Sequence, residues 1–341
     1  MSEVLISQLA YAELISPDPQ KTVDWMVDVF GLEPTTTEGQ SVYLRAWGEF
    51  LHSSLIVTEG PQPALGRVGW RTYGPEDPEK IEAIAKDAGV DVGWADGRVG
   101  RGPAFQFRLP YGEHLQEVFW ETDLFEAPPE KAEPDLHFRP QRYLTRGASA
   151  KYIDHVTIVS PNLQGDIDFL KRIGFRQTAV ANPKPGLTVF STTTSNAIRC
   201  THDMAFLPDM SGATARLNHI AYRVDQRSEV EHAAEAFMAN GDHLEFGPGI
   251  HGIDEITFVY VREPGSGVRM EVNSGGWVNY MPDWEVPTFL AHQGPNNIWR
   301  NQPFVASMME SFPPVEEKAA QTDQDSFVSS GITDQAATLD D

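Results

Sequence analysis

The amino-acid sequence predicts an α+β fold of four βαβββ modules arranged in two domains. Helix-like segments with similar start and stop signals occur four times, each preceded by one strand-like run and followed by several. The two halves of the chain also align with each other. An internal repeat of this kind is typical of duplicated modules. We therefore expect each domain to be an open, mixed β-barrel built from a pair of modules.

Four helices are expected from their end signals. Ser, Asp and Pro are favoured in the first turn of a helix, and Gly is favoured just after its end. The fourth helix starts with a capping box, a Ser followed three residues later by Glu. The expected starts and ends are Ser16-Pro17 to Gly31, Asp77-Pro78 to Gly89, Ser160-Pro161 to Gly174, and Ser228 with Glu231 to Gly241.

Strand-like runs surround these helices. Residues 152–159 alternate between two faces, residues 217–224 do the same, and residues 255–261 are rich in β-branched and aromatic types. Alternation with period two predicts β-strands. The unit is therefore one strand, one helix, and then several strands.

The alignment of the two halves shows which residues of the repeat correspond to each other. Residues 11–17 match residues 155–161, and residues 69–71 fall opposite residues 221–223. The boundary lies in a stretch rich in Pro and charged residues, 127–146. The expected divisions are an N-terminal module pair without metal (1–130), a catalytic pair (131–276), a Trp- and Pro-rich extension (277–314) and an acidic, disordered tail (315–341).

Composition and charge exclude several classes of protein. The formal net charge of −23 repels phosphate backbones and argues against nucleic-acid binding. No apolar run approaches the roughly 18 residues of a membrane span, and the N-terminus lacks the pattern of a secretion signal. The single cysteine, Cys200, excludes an intrachain disulfide framework and thiolate clusters. A reducing cytoplasm is the expected location.

One set of residues in the second half has the composition of a metal site. His155, His219 and Glu271 all lie in strand-like runs, and strands of one barrel could bring them to a common interior point. Two His and one carboxylate, with open positions, form the ligand set of mononuclear non-haem Fe(II) oxygenases. The first half offers no such set, because its corresponding positions are Tyr11, Arg67 and Glu117.

A longer motif surrounds the last of these residues. His251 is followed nine residues later by Tyr260, then by Glu263-Pro264, a Gly-containing turn and Glu271. With these residues the chain resembles the type I extradiol ring-cleaving dioxygenases of the vicinal oxygen chelate superfamily, and is most similar to the catechol 2,3-dioxygenases. One extra residue between Pro264 and Glu271 departs from the usual spacing. It falls in a turn, where an insertion costs little.

Other blocks extend the resemblance from about residue 5 to residue 314. They are Asp154-His155, Thr201-His202-Asp203, Asn218-His219 and residues 273–276, in the order of the family. The resemblance implies the vicinal oxygen chelate fold. It also implies that His155, His219 and Glu271 bind Fe(II), while Mn(II) accepts the same set. The substrates would then be a catechol and O2, and the assembly a homotetramer.

The resemblance also implies roles for residues around the metal. His202 is similar to the acid–base histidine of the family, a duty that suits imidazole because its pKa lies near neutral pH. His251 and Tyr260 would hydrogen-bond the substrate oxygens. Asp254 would line the pocket or hold His251. Glu117, the counterpart of the ligand Glu271, is expected to be structural.

The extension and the charge together suggest the kind of catechol. Its aromatic residues are expected to cover the mouth of the site: Trp277, Tyr280, Trp284, Phe289 and Trp299. Residues 290–304 offer only Arg300 as a basic partner for an acid-bearing substrate. A neutral catechol, including alkyl- and aryl-substituted ones, is therefore preferred.

Several alternatives remain open at the level of the sequence. A 2-aminophenol chelates through adjacent heteroatoms as a catechol does, and a homoprotocatechuate-type substrate uses the same chemistry. The same modules also serve glyoxalase-like lyases and isomerases, and metal-free drug-sequestering proteins. A binding protein predicts no metal triad in either half. A lyase usually requires a second catalytic carboxylate at the metal. The first-half positions that correspond to the two histidines hold Tyr11 and Arg67 instead.

Overall fold

A computed structural model describes residues 3–132, 145–182, 188–195, 200–281, 283–290 and 305–315. Within these ranges the chain forms two large β-sheets and four α-helices. No helix in the described ranges is long and apolar enough to cross a membrane.

The first half of the chain forms an eight-stranded sheet in the order β2-β3-β4-β1-β5-β8-β7-β6. Its central strands are mixed, because β1 pairs parallel to β4 and antiparallel to β5. The strands are β1 (Ile6–Ser16), β2 (Glu33–Glu38), β3 (Ser41–Arg45), β4 (Leu55–Glu59), β5 (Ala64–Thr72), β6 (Val92–Ala95), β7 (Ala104–Arg108) and β8 (Leu115–Phe119).

The second half repeats this arrangement and adds one edge strand. Its nine strands run in the order β14-β15-β16-β13-β9-β12-β11-β10-β17. The strands are β9 (Tyr152–Ser160), β10 (Phe175–Asn182), β11 (Phe190–Ser195), β12 (Met204–Pro208), β13 (Arg216–Arg223), β14 (Leu244–Ile250), β15 (Ile256–Arg262), β16 (Arg269–Gly275) and β17 (Thr288–Leu290).

One helix follows the first strand of each module. The helices are α1 (Pro19–Trp25, continued by a π-helical segment, Met26–Phe30), α2 (Asp77–Asp87), α3 (Leu163–Arg172) and α4 (Arg227–Asn240). Each is preceded by one strand and followed by three, so the order βαβββ occurs four times. The predicted α+β class with four such modules is confirmed.

Two of the expected helix starts are wrong by a few residues. The first and third helices begin at Pro19 and Leu163, with Asp18 and Asn162 as N-caps, rather than at Ser16-Pro17 and Ser160-Pro161. The serines are the last residues of β1 and β9. Their hydroxyls accept hydrogen bonds from the amides of residues 18 and 162, so they shape the turn into the helix instead of capping it.

The expected capping box of the fourth helix is also wrong. The box is formed two residues earlier, between Gln226 and Glu229, rather than between Ser228 and Glu231. The end signal is correct, because Gly241 caps the helix with a φ of 90° that disfavours residues with a side chain.

The hydrophobic core continues from one half into the other. Trp25 of α1 stacks on Phe237 of α4 with ring centroids 5.8 Å apart. Trp70 of β5 meets Phe175 of β10 edge-on at 4.9 Å. Burial of an aromatic side chain of this size contributes about 1.5–3 kcal/mol. The two halves therefore share one hydrophobic core.

The strand register supports the alignment of the two halves. Tyr11 lies opposite Gly69, which pairs with Glu117. In the second half His155 lies opposite Ala221, which pairs with Glu271. The three central strands of each sheet therefore present equivalent positions side by side.

Candidate metal centre

Three neighbouring strands converge on one buried point in the second half. His155 lies on β9, His219 on β13 and Glu271 on β16, and all three are at most 6% exposed. His219 Nε2 is 3.1 Å from His155 Nε2 and 3.1 Å from Glu271 Oε2. His155 Nε2 is 3.4 Å from the same carboxylate oxygen. The structure thus brings together all three residues predicted as ligands.

The residues present fit a divalent metal ion. Glu271 Oε2 is buried and has no hydrogen-bond partner in the described part of the chain, although two imidazole nitrogens face it. Ligand atoms about 2.1 Å from one ion and at right angles lie about 3 Å apart, which is close to the observed spacing. Among the described residues, this is the one group of three His, Cys, Asp or Glu donors close enough to share an ion.

The side chains of the site shift one another's pKa values. Burial lowers the pKa of His155, but the carboxylates of Glu271 and Asp154 outweigh burial and raise it to about 10. Burial would raise the pKa of Glu271, but the facing imidazoles hold it well below its usual range. The buried carboxylate of Glu271 therefore favours a positive charge at this point.

Each candidate ligand is held from behind by a hydrogen bond. His155 Nδ1 is 2.8 Å from Asp154 Oδ2, and His219 Nδ1 is 2.8 Å from Asn218 Oδ1. Asn273 donates to Asp154 Oδ2 at 3.0 Å and to Glu271 Oε1 at 3.2 Å. Such partners fix the ring orientation of ligating histidines and tune the metal. The sequence showed these residues as motif positions but gave them no roles.

His202 lies beside the candidate ligands, as the resemblance predicted. Its ring centroid is 4.2 Å from that of His155, and its Nδ1 is 3.1 Å from Thr201 Oγ1. Asp254 Oδ2 lies 3.8 Å from the same nitrogen. Burial, and then the charge of His155, hold the pKa of His202 well below its usual range. Both effects favour the neutral form of the His202 ring.

His251 and Tyr260 approach the site from β14–β15. His251 Nε2 is 3.1 Å from the Tyr260 hydroxyl, and its ring stacks on Phe258 with centroids 3.9 Å apart. The Tyr260 ring meets His219 edge-on at 5.2 Å. These residues form a second wall of the site. Asp254 is buried, and its Oδ1 accepts a hydrogen bond from the amide of Ile256.

Thr157 is a site residue that the sequence reasoning missed. Its hydroxyl is 3.0 Å from His219 Nε2, the nitrogen that faces Glu271. Thr157 follows His155 by two residues on β9, so the two side chains share a face of the strand. That spacing was the available signal.

The extension after β16 contacts this region at its start. Trp277 donates through its backbone amide to Asp254 O at 3.2 Å, and its ring packs against Trp284 at 5.4 Å. Phe289 lies in β17, which pairs with β10, whereas Tyr280 is exposed. Coverage of the site mouth by the extension remains a prediction. Trp299, Arg300 and most of the acidic tail lie outside the described residues.

The corresponding point in the first half contains arginines instead of a metal set. Glu117 is fully buried, and its carboxylate accepts from Tyr11, Gln106 and three guanidinium groups: Arg67, Arg98 and Arg101. Burial would raise the pKa of Glu117, but Arg98 and Arg101 outweigh burial and lower it to about 2. The guanidinium groups thus supply the positive charge that a metal ion would supply in the second half.

We expect Glu117→Gln to weaken folding while leaving the metal content and activity of the folded protein unchanged. Removing one partner of a buried ion pair typically costs about 3–5 kcal/mol. Because the folded pKa is depressed to about 2, the contribution of Glu117 is complete above a pH of about 4.5 and disappears as the pH falls towards 2. Urea unfolding of both proteins across this pH range measures the difference. A difference that stays constant down to pH 2 would contradict the assignment.

Known proteins share this fold and sequence pattern. Residues 152–272 match the model of the Glyoxalase/Bleomycin resistance protein/Dioxygenase superfamily. The chain is 31% identical over 294 residues to a manganese-dependent 2,3-dihydroxybiphenyl 1,2-dioxygenase of Geobacillus genomosp. 3, covering 84% of this chain and 91% of that protein. It is 30% identical over 294 residues to a metapyrocatechase of Geobacillus stearothermophilus, with 86% and 88% covered.

A solved structure is also similar to this chain in fold and sequence. An extradiol ring-cleaving dioxygenase from B. fuscum superposes with a TM-score of 0.79 at 28% identity, covering 90% of this chain and 82% of that chain. The chain belongs to the extradiol dioxygenase family. It is therefore an extradiol dioxygenase with the vicinal oxygen chelate fold, as the sequence motifs predicted. Enzymes of this family act on small aromatic molecules with O2 and include manganese-dependent and iron-type members. In this chain, His155, His219 and Glu271 are close enough together to hold such an ion.

Proposed function

We propose that the protein is an Fe(II)-dependent extradiol dioxygenase that cleaves catechol or an alkyl- or aryl-substituted catechol, with His155, His219 and Glu271 holding the iron. The observation that carries the proposal is the convergence of these donors within 4.8 Å of one another at a buried point. Glu271 Oε2 supports it, because this buried oxygen accepts no hydrogen bond in the described part of the chain and faces both imidazole nitrogens.

The donor set also suits the charge of the reaction. One carboxylate and two neutral imidazoles leave a divalent ion with a single positive charge, which a catecholate monoanion neutralises in a buried site. When bound, Fe(II) supplies a template where the two vicinal oxygens of the ring and O2 meet, and it conducts electrons between them. With the metal bound, Asp154 and Asn218 would hold the Nδ1 protons of the two imidazoles, which leaves both Nε2 lone pairs for the ion.

Three further side chains would handle protons and orientation. His202, beside His155, would take a proton from the catechol and return one to the oxygen that leaves during O–O cleavage. Tyr260 and His251, 3.1 Å apart, would bind the substrate oxygens, with Tyr260 favouring the deprotonated one. Asp254, 3.8 Å from His202, would line the same pocket.

Two arginines on the ligand-bearing strands favour a neutral substrate ring. Arg223 bonds Asp154 at 3.3 Å and the carbonyl of Gly275, and Arg269 is fully buried against Glu245 at 2.7 Å. Both guanidinium groups are therefore engaged with the protein. This favours a catechol without a carboxylate over a homoprotocatechuate-type substrate.

A manganese enzyme acting on an aryl-substituted catechol is the second candidate. Its basis is the likeness to a relative named as a manganese-dependent 2,3-dihydroxybiphenyl dioxygenase. A 2-aminophenol substrate and glyoxalase-like chemistry are further outcomes of the same assays. We also infer that the protein is a homotetramer located in the cytoplasm. Light scattering of the purified protein measures the assembly, and cell fractionation measures the location.

Catechol should give a yellow semialdehyde, because extradiol cleavage opens the ring beside the two hydroxylated carbons. The assay is the absorbance spectrum and mass of the product from catechol, 4-methylcatechol, 2,3-dihydroxybiphenyl, homoprotocatechuate and 2-aminophenol. Enzyme loaded with Fe(II) and with Mn(II) is compared. Colourless cis,cis-muconate, the product of cleavage between the hydroxylated carbons, would contradict the proposal.

A further inference from the structure

A segment near the C-terminus, residues 305–313, lies across the beginning of β13; we call it the strap. Phe312 and Leu217 exchange two backbone hydrogen bonds of 2.7 Å. Arg216 donates to the carbonyls of Pro313 at 2.9 Å and Ser311 at 3.1 Å. Arg269 donates to the carbonyl of Ser307 at 2.6 Å. The strap is therefore fixed to the same two strands, β13 and β16, that carry His219 and Glu271.

The side chain of Asn218 lies at the junction between the strap and the candidate metal site. Asn218 Nδ2 donates to the carbonyl of Met308 at 2.8 Å and lies 3.3 Å from that of Glu310. Its Oδ1 lies 2.8 Å from His219 Nδ1. Asn218 is only 1% exposed, so water has little access to either end of the amide.

The strap decides which way the Asn218 amide faces. Backbone carbonyls only accept hydrogen bonds, so the amide NH2 group must point towards Met308 and Glu310. Oδ1 must then face His219, and it can only accept. The proton of the neutral His219 ring is therefore on Nδ1, and the lone pair is on Nε2.

That lone pair is the one a metal ion needs. His219 Nε2 is the nitrogen 3.1 Å from Glu271 Oε2. Without the strap carbonyls the amide can turn over and donate to Nδ1, which moves the ring proton to Nε2. A proton on Nε2 blocks coordination.

A second contact ties the strap to the wall of the same site. Met308 packs in a buried cluster with Phe246, Phe258 and Tyr260. Docking of the strap therefore supports both His219 and Tyr260. Neither link was visible in the sequence, because Asn218 and Met308 are 90 residues apart.

We propose that Asn218 is a positioning residue that couples docking of the strap to metal binding by fixing the proton of His219 on Nδ1. The proposal rests on the function proposed above. It adds the strap to the groups that influence the candidate metal site. Such coupling is reciprocal: if the docked strap favours metal binding, bound metal stabilises the docked strap to the same extent.

The test is hydrogen exchange of the full-length protein with and without Mn(II), together with Mn(II) affinity measured by chelator competition. In the wild type, metal should slow exchange of the amides of residues 308–312. Asn218→Ala should lower Mn(II) affinity by about 10- to 100-fold, as for other partners of metal ligands, and should abolish the metal-dependent protection of the strap.

Asn218→Asp separates the contact between residue 218 and His219 from its contacts with the strap. A carboxylate still accepts from His219 Nδ1 but cannot donate to the strap carbonyls, so Mn(II) affinity should hold while metal-dependent protection of the strap is lost. Glu310→Gln is the matched control. It removes only the outer ion pair with Arg262, and both readouts should match the wild type.

Unchanged strap exchange on adding Mn(II) to the wild type, or wild-type affinity in Asn218→Ala, would overturn the coupling while leaving the proposed function standing. A wild-type protein that binds neither Mn(II) nor Fe(II) would overturn the proposed function and the coupling together.

Discussion

Replacing any one of His155, His219 or Glu271 by Ala is expected to remove the metal and all ring cleavage. A site with three protein donors has no spare ligand, and among the described residues no other His, Cys, Asp or Glu joins this cluster. In Glu271→Ala, two imidazoles remain with no carboxylate to balance the charge of the ion. The measurement is metal content per chain after anaerobic reconstitution, followed by turnover of catechol on the same preparation.

Two controls separate loss of the site from loss of the fold. His232→Ala changes an exposed histidine on α4 and should keep full metal content and turnover. Glu117→Gln changes the equivalent carboxylate of the first half and should also keep the metal, although it folds less stably. A ligand variant that retained one metal per chain with near-normal turnover would remove that residue from the proposed set.

His202→Phe is expected to keep the metal and the catechol but to lose most of the rate. The ring is buried beside His155 without belonging to the three-donor cluster, so a phenyl ring of similar shape preserves the packing. What disappears is a proton donor and acceptor, a contribution typically on the order of 10²–10⁴ in rate. The variant should also release peroxide, because O–O cleavage without a proton donor is slow.

Metal content, anaerobic catechol affinity and kcat on one preparation decide the role of His202. Loss of metal would make it a ligand or a structural residue, and an unchanged kcat would make it a bystander. Thr157→Val offers a comparison, because it removes the hydroxyl 3.0 Å from His219 Nε2 and leaves His202 unchanged.

The fold could be predicted from the sequence because the repeat is strong. Helix end signals recur four times, and the alignment of the two halves matched Tyr11 with His155 and Glu117 with Glu271. The strand pairing of the two sheets places these residues in equivalent positions. Two predicted helix starts were wrong because the residue type that suggested them also occurs at the end of a strand. Ser16 and Ser160 have the residue type of N-caps, but both end long strands and turn the chain before the cap.

The candidate site was predictable to the extent that its residues lie in motifs along the chain. Comparison of the halves identified His155, His219 and Glu271, and the family motif located His202, His251 and Tyr260. The strap was not predictable, since its link to His219 depends on backbone carbonyls far away in sequence. Arg67 was found by the alignment of the halves, but two other arginines around Glu117 were missed for a similar reason. Arg98 and Arg101 come from the loop before β7, and the alignment of the halves gave that loop no counterpart.

Metal analysis of the wild-type protein combined with an anaerobic catechol titration tests the proposed metal centre directly. We expect about one iron or manganese per chain and one catechol bound per metal, with both lost in Glu271→Ala. Ring cleavage by protein stripped of metal, or tight catechol binding that is unaffected by removing the metal, would contradict it.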